Sequence, residues 1–172
     1  TGPGGLEVRE IPLPPLGPRQ VLVKVKACGL CTWEQRFYKG TEPGSYPFRG
    51  GHEVSGVVAE IGPDAVCEAA MGDVVALAIM TRCGSCYYCR RGMDNFCERD
   101  DGGYLPGQPW GPGGLSDYVI VKDYQVYKAS AGRSFAELSL AEPLACVIRS
   151  VARPPLELGD AVVVQGVGIM GM

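Results

Sequence analysis

A chain of 172 residues with 16 Lys and Arg against 19 Asp and Glu carries a formal charge of −3. That is one ordinary domain in length, with no basic surplus to neutralise a nucleic-acid backbone. A hydrophobic share of 46% excludes a disordered chain, and 25 glycines with 14 prolines but no three-residue period exclude collagen and favour a turn-rich β-protein over a helical bundle. The longest apolar run, Val74 to Met80, is about a third of a membrane span. No basic-then-apolar leader opens the chain, so neither a membrane nor a nucleic-acid partner is expected.

The first predicted element is a strand over Gln20 to Ala27, where Val21, Val23 and Val25 alternate with Lys24 and Lys26, the period of a strand with one wet face. A turn at Gly29 follows. Glu53 to Ile61 and Asp73 to Ala78 read as further strands, bounded by the Gly62-Pro63-Asp64 and Met71-Gly72-Asp73 turns. The stretch DDGGYLPGQPWGPGG, residues 100–114, has no periodicity and reads as a surface loop near a cleft. Leu115 to Val121 and Tyr124 to Lys128 complete a set of short strands that predicts an antiparallel barrel or sandwich. At Ser134 to Glu137 a capping box opens a short helix, and Pro143 divides it from a second helix over about Pro143 to Val151, leaving Glu142 at the break. Ala161 to Gln165 is an apolar run of the kind found in buried parallel strands. It ends in Gly166-Val167-Gly168-Ile169-Met170-Gly171, the glycine spacing that lets a backbone approach a dinucleotide pyrophosphate.

Eight cysteines in a chain with a sizeable core and no visible leader predict reduced thiols and a cytoplasmic protein rather than a disulfide framework. Cys83, Cys86, Cys89 and Cys97 are clustered, and thiolates packed that densely repel unless a cation compensates them. Two-residue gaps and a closed set of four soft ligands predict structural zinc, with Gly84 and Gly92 freeing the turns and Arg82, Arg90, Arg91 and Arg99 screening the charge. An iron–sulfur cluster is the alternative, although Cys97 lacks the spacing and the following proline of the bacterial ferredoxin run.

A second constellation is spread along the chain. His52, the single histidine, stands just before a predicted strand; Cys31 follows the first strand and Glu142 sits at the helix break. Sulfur, imidazole and carboxylate form the three-ligand set that leaves catalytic zinc an open position. Spacing alone does not gather them, and a satisfied structural histidine remains the alternative.

The stretch GHEVSGVVAEIGPDA, with Gly51, His52, Glu53, Gly56 and Gly62 in register, resembles the zinc signature of the medium-chain alcohol and polyol dehydrogenases. VLVKVKACGLC, the four-cysteine run, GGLSDYVIV and AEPLAC are similar to other segments of that family, the last to its sorbitol/threonine dehydrogenase-like branch. The resemblance implies a GroES-like barrel over residues 1–152 with a zinc lobe at about 82–100, and the start of a nicotinamide-binding Rossmann domain over 153–172. It implies catalytic zinc on Cys31, His52 and Glu142, with Glu53 as an alternate or water-bridged ligand and Glu34 orienting the histidine. It further implies NAD or NADP approached by Gly166, Gly168 and Gly171, and reversible oxidation of a secondary alcohol or polyol by hydride transfer. The full-length enzyme is expected to be a homo-oligomer, dimer or tetramer, and the chain as given to hold zinc without turning over. Trp33 stands where the family places Ser or Thr, and indole cannot relay a hydroxyl proton; either Thr32 or a water takes the relay or the large ring reshapes the substrate pocket, and plain wall packing is the expected role of Trp33. Three alternatives stay open: a redox pair Cys28-x-x-Cys31, a zinc-ribbon module docking a partner, and a zinc-free GroES-like alkene or quinone reductase.

Overall fold

Five short strands form one antiparallel sheet in the order β4-β1-β2-β3-β5: β1 Gln20–Gly29, β2 Glu53–Ile61, β3 Val74–Leu77, β4 Tyr118–Lys122 and β5 Val126–Lys128. The computed structural model describes residues 2–78, 80–99 and 108–172. Strand β1 pairs with β2 on one side and β4 on the other, so its alternate residues Val21 and Val23 are fully enclosed. Eight valines together with Ala69 and Leu77 make the core, each buried valine contributing about 1.5–3 kcal/mol. β1, β2 and β3 agree with the predicted strands within two residues.

The later strands differ from expectation. β4 begins at Tyr118 rather than Leu115, because the preceding residues bind elsewhere: the Leu115 amide donates to Gly50 O and the Ser116 hydroxyl to Gly113 O. β5 is shortened by a 3-10 turn over Asp123–Gln125. That turn is held by Asp123, whose carboxylate is 1% exposed and accepts from Arg19 Nε and Nη2 and from the Val66 and Tyr124 amides. Of the loop over residues 100–114, positions 100–107 lie outside the described residues; Trp110 in the remainder bridges to Phe48.

Three α-helices follow: α1 Thr32–Lys39, α2 Phe135–Ser139 and α3 Ala141–Val151. α1 was not predicted. The capping box at α2 is present, with the Ser134 hydroxyl accepting from the Glu137 amide and the Glu137 carboxylate from the Ser134 amide. Glu142 lies in the first turn of α3. No helix among the described residues is long and apolar enough to cross a membrane.

One predicted strand is absent: Ala161 to Gln165 is exposed and in no regular element. A strand needs a neighbour for its ladder hydrogen bonds, and no described residue supplies one. The glycine run beyond it closes into a turn, with the Gly171 amide donating to Gly168 O.

Candidate metal centres

The β1/β2 ladder builds the first site. Its register places Gly29 opposite Glu53, so Cys31, two residues past the end of β1, arrives beside His52, one residue before β2. Donor atoms of Cys31, His52 and Glu53 all lie within 4.8 Å of one another. Gly29 makes this possible, because a Cβ there would run into the Glu53 carboxylate. Gly51 is also required: its φ of 98° is left-handed, and a Cβ would meet the backbone of Gly114 and Leu115.

Cys31 is the N-cap of α1, and one turn of that helix carries Glu34 inward. Glu34 Oε1 accepts from the Gly51 amide at 2.9 Å and lies 2.8 Å from His52 Nδ1. The hydrogen bond from His52 holds the Glu34 carboxyl below its ordinary range even though burial alone would raise it. An ionised carboxylate only accepts, so Nδ1 keeps its proton when the imidazole is neutral, and Nε2 is then the nitrogen with the free lone pair. Reciprocally, Glu34 lifts the imidazole to about 9 against burial, with the charges of Glu34, Glu142 and Cys31 adding to the rise.

Glu142, expected as the third ligand with Glu53 an alternate, is not among the donors within 4.8 Å of one another. Glu53 is fixed by the strand pairing next to His52, whereas Glu142 comes from α3 and accepts from the Cys146 thiol at 3.8 Å. It is near enough to act on His52 through its charge, and burial, then the neighbouring carboxylates Glu53 and Glu34, raise its pKa while His52 opposes them. Thr32 is exposed, with Oγ1 4.0 Å from Cys31 Sγ. Cys28 and Cys31 are both free thiols; burial pushes Cys28 up to about 11, which does not favour a redox pair. The donor set suits a borderline dication: one thiol, one imidazole with its other nitrogen engaged, and a carboxylate, amid the acidic groups Glu34, Glu53 and Glu142. The Glu34 Oε2 atom, buried without a partner, adds to the negative field a cation would offset.

Trp33 is where α1 meets this site. Its ring centroid is 5.5 Å from that of His52, 4.9 Å from Phe37, 5.3 Å from Phe48 and 6.4 Å from Trp110. Phe37 and Phe48 stack at 4.1 Å, and Tyr46 lies 6.1 Å from Phe37. Arg49 pins the segment bearing Trp110 onto this box, donating to Pro109 O, Gln108 Oε1 and Gly111 O. Trp33 thus packs into a wall of rings, with one edge toward His52.

The four-cysteine site is separate. The sulfurs of Cys83, Cys86, Cys89 and Cys97 lie within 4.8 Å of one another, and none is in a disulfide. Gly84 and Gly92 both take φ 70° in the turns between them. Two of the four arginines expected to screen the sulfurs are engaged with other groups. Arg82 pairs with Asp94 and Arg91 lies over the Tyr87 ring, while backbone amides point at sulfur: those of Ser85 and Cys86 at Cys83, that of Cys89 at Cys86, and those of Cys83 and Arg99 at Cys97. The Ser85 amide and hydroxyl draw the Cys83 thiol down to about 6. A closed cage of four such sulfurs fits a structural metal with no open position.

Sequence reasoning found every donor in both clusters but missed α1 and the aromatic box. The signal for α1 was present in Trp33 and Phe37 four residues apart, Glu34 early, and Arg36 and Lys39 late, before a left-handed Gly40.

An antiparallel β-domain with a four-sulfur lobe and a thiol, imidazole and carboxylate gathered at one strand edge is the arrangement of a metal-binding domain. The chain belongs to the alcohol dehydrogenase GroES-like domain family, whose model matches residues 17–131. It is 35% identical over 172 residues to a sorbitol dehydrogenase of Halalkalibacterium halodurans, covering 99% of this chain and 49% of that protein. It is 32% identical over 177 residues to an L-threonine 3-dehydrogenase of Pyrococcus horikoshii, covering 100% and 49%. A zinc-binding dehydrogenase of Sinorhizobium meliloti solved with NADP superposes with a TM-score of 0.73 at 32% identity, over 87% of this chain and 42% of that one. The chain thus spans about half the length of the curated relatives it matches.

Proposed function

We propose that the full-length protein is a zinc-dependent oxidoreductase that reversibly oxidises a secondary alcohol or polyol, passing a hydride to NAD or NADP. The observation that carries this reading is the convergence of Cys31, His52 and Glu53 donors within 4.8 Å on the edge of a family domain shared with the dehydrogenases above. When bound, zinc at this site supplies Lewis acidity to a hydroxyl and the nicotinamide supplies the two-electron acceptor.

The chain's own residues divide the remaining work. Cys31 and His52 hold the site, and Glu53 lies within ligand reach; Glu142, on α3 beside it, is a further carboxylate for the same cation. Glu34 keeps the imidazole in one tautomer and one orientation. Thr32, exposed beside Cys31, passes a proton between the site and water. The Cys83, Cys86, Cys89 and Cys97 lobe is structural zinc and takes no part in the chemistry. Gly166, Gly168 and Gly171 approach the dinucleotide pyrophosphate, in a domain beginning near residue 153 after a catalytic domain over 1–152. Free thiols throughout the chain support a cytoplasmic setting, and a homo-oligomer is part of this reading.

In the full-length protein, Cys31→Ala and His52→Ala should each abolish alcohol-dependent NAD(P) reduction and remove one zinc while the lobe zinc stays. Turnover that persists after either change, or a single zinc in the unaltered protein, would defeat the proposal in favour of a zinc-ribbon docking module. A zinc-free reductase would hold neither metal.

A further inference from the structure

The aromatic box has no place in the chemistry above, yet Trp33 joins it to a ligand of the site. The indole is edge-on to His52 at 5.5 Å, two residues past Cys31 in the chain, so it borders the site at its imidazole. Behind it, Phe37, Phe48, Trp110 and Tyr46 pack ring against ring. Interlocked rings of this kind are rigid, and their area is a strong apolar surface.

The hydrogen-bonding capacity of this wall is small. The Tyr46 hydroxyl is spent on Phe37 O at 2.6 Å, and His52 Nδ1 is held by Glu34. Phe37 and Phe48 have no polar atom, and the two indoles offer one N–H each and no acceptor. A polyol presents a hydroxyl on each carbon beside the reacting one, and every hydroxyl laid on this wall loses water without gaining an acceptor. A hydrocarbon or aryl substituent in the same place buries apolar area against the rings.

We propose that Trp33 is a specificity-determining residue that turns the metal-side pocket of the full-length enzyme toward alcohols bearing an apolar or aromatic substituent and away from polyols. This rests on the dehydrogenase reading above and narrows its substrate class; it sets the chain apart from its sorbitol-acting relative.

The test compares kcat/KM for 1-phenylethanol and sorbitol in the zinc-loaded, full-length enzyme with NAD or NADP. The unaltered enzyme should favour 1-phenylethanol by about tenfold or more, Trp33→Ser should cut that ratio by about tenfold, and Trp33→Phe, which keeps an apolar ring, should hold it within about threefold. Equal or better use of sorbitol by the unaltered enzyme overturns the proposal, as does an unchanged ratio in Trp33→Ser with a native circular dichroism spectrum. If Trp33→Ser does not fold, the unaltered enzyme and Trp33→Phe decide. Absence of turnover with any alcohol defeats the dehydrogenase reading instead; binding of the same two alcohols, followed by tryptophan fluorescence of the zinc-loaded protein, then decides this one. Tighter binding of 1-phenylethanol supports it, and equal binding, tighter sorbitol binding or no binding of 1-phenylethanol overturns it.

Discussion

Replacing Glu34 with Ala tests how far one carboxylate supports the first metal centre. The change strands the buried Gly51 amide and removes the charge-assisted partner of His52, whose side chain is 19% exposed against 5% for that of Glu34. A stranded amide costs about 1–3 kcal/mol, and breaking a buried, hydrogen-bonded charge pair about 3–5 kcal/mol in all. The rise of His52 from an ordinary 6.5 to about 9 gives an independent ceiling: about 2.5 pH units at about 1.4 kcal/mol per unit, or roughly 3.5 kcal/mol. Because the folded-state pKa is raised, that contribution is fully present below about pH 6.5 and is lost as pH rises through about 9. Urea unfolding of the metal-free protein should therefore show Glu34→Ala destabilised by about 3 kcal/mol at pH 6, with the gap to the unaltered protein narrowing by pH 10. Zinc affinity at the Cys31 site, measured by chelator competition, should fall about 10–100-fold, because an unoriented imidazole is a poorer ligand. Glu34→Gln keeps one acceptor oxygen and should lose less on both counts. A pH-independent gap, or Ala and Gln variants with equal zinc affinity, would refute the reasoning.

Three further outcomes follow from the same structure. Asp123→Ala removes the carboxylate that accepts from the Val66 and Tyr124 amides and should cost about 2–4 kcal/mol in thermal or urea unfolding; Arg19, its side chain 60% exposed, rehydrates and adds little. Burial raises the Asp123 carboxyl, but Arg19 and the two amides more than reverse this and leave it lowered, so its contribution is present above about pH 4 and is lost as pH falls below that; the Ala variant should lack this acid-sensitive part. Cys97→Ser should reduce zinc in the full-length protein from two per chain to one by elemental analysis, with the metal at Cys31 retained. Gly29→Ala drives a Cβ into the Glu53 carboxylate and should weaken zinc at the Cys31 site about tenfold while the four-sulfur lobe titrates unchanged.

The sequence alone determined what local chemistry can encode. Alternation along Val21, Val23 and Val25 marked β1, a serine and a glutamate three apart marked the α2 cap, and four cysteines within one short segment could hardly avoid sharing a cation. Ala161 to Gln165 has the composition of a buried strand but finds no pairing neighbour among the described residues, and a strand is stabilised by its neighbour and not by itself. Tertiary structure decided the first metal centre. Cys31 and His52 are twenty-one residues apart, and only the antiparallel register that sets Gly29 against Glu53 brings them together. The same ladder sets Glu53 beside them, while the reach of Glu142 depends on where α3 docks. The aromatic box is likewise a product of docking, since Trp33, Phe48 and Trp110 come from a helix and two separate loops. Donor chemistry is a matter of residue type; the convergence of donors is a matter of distance, which only the folded chain sets.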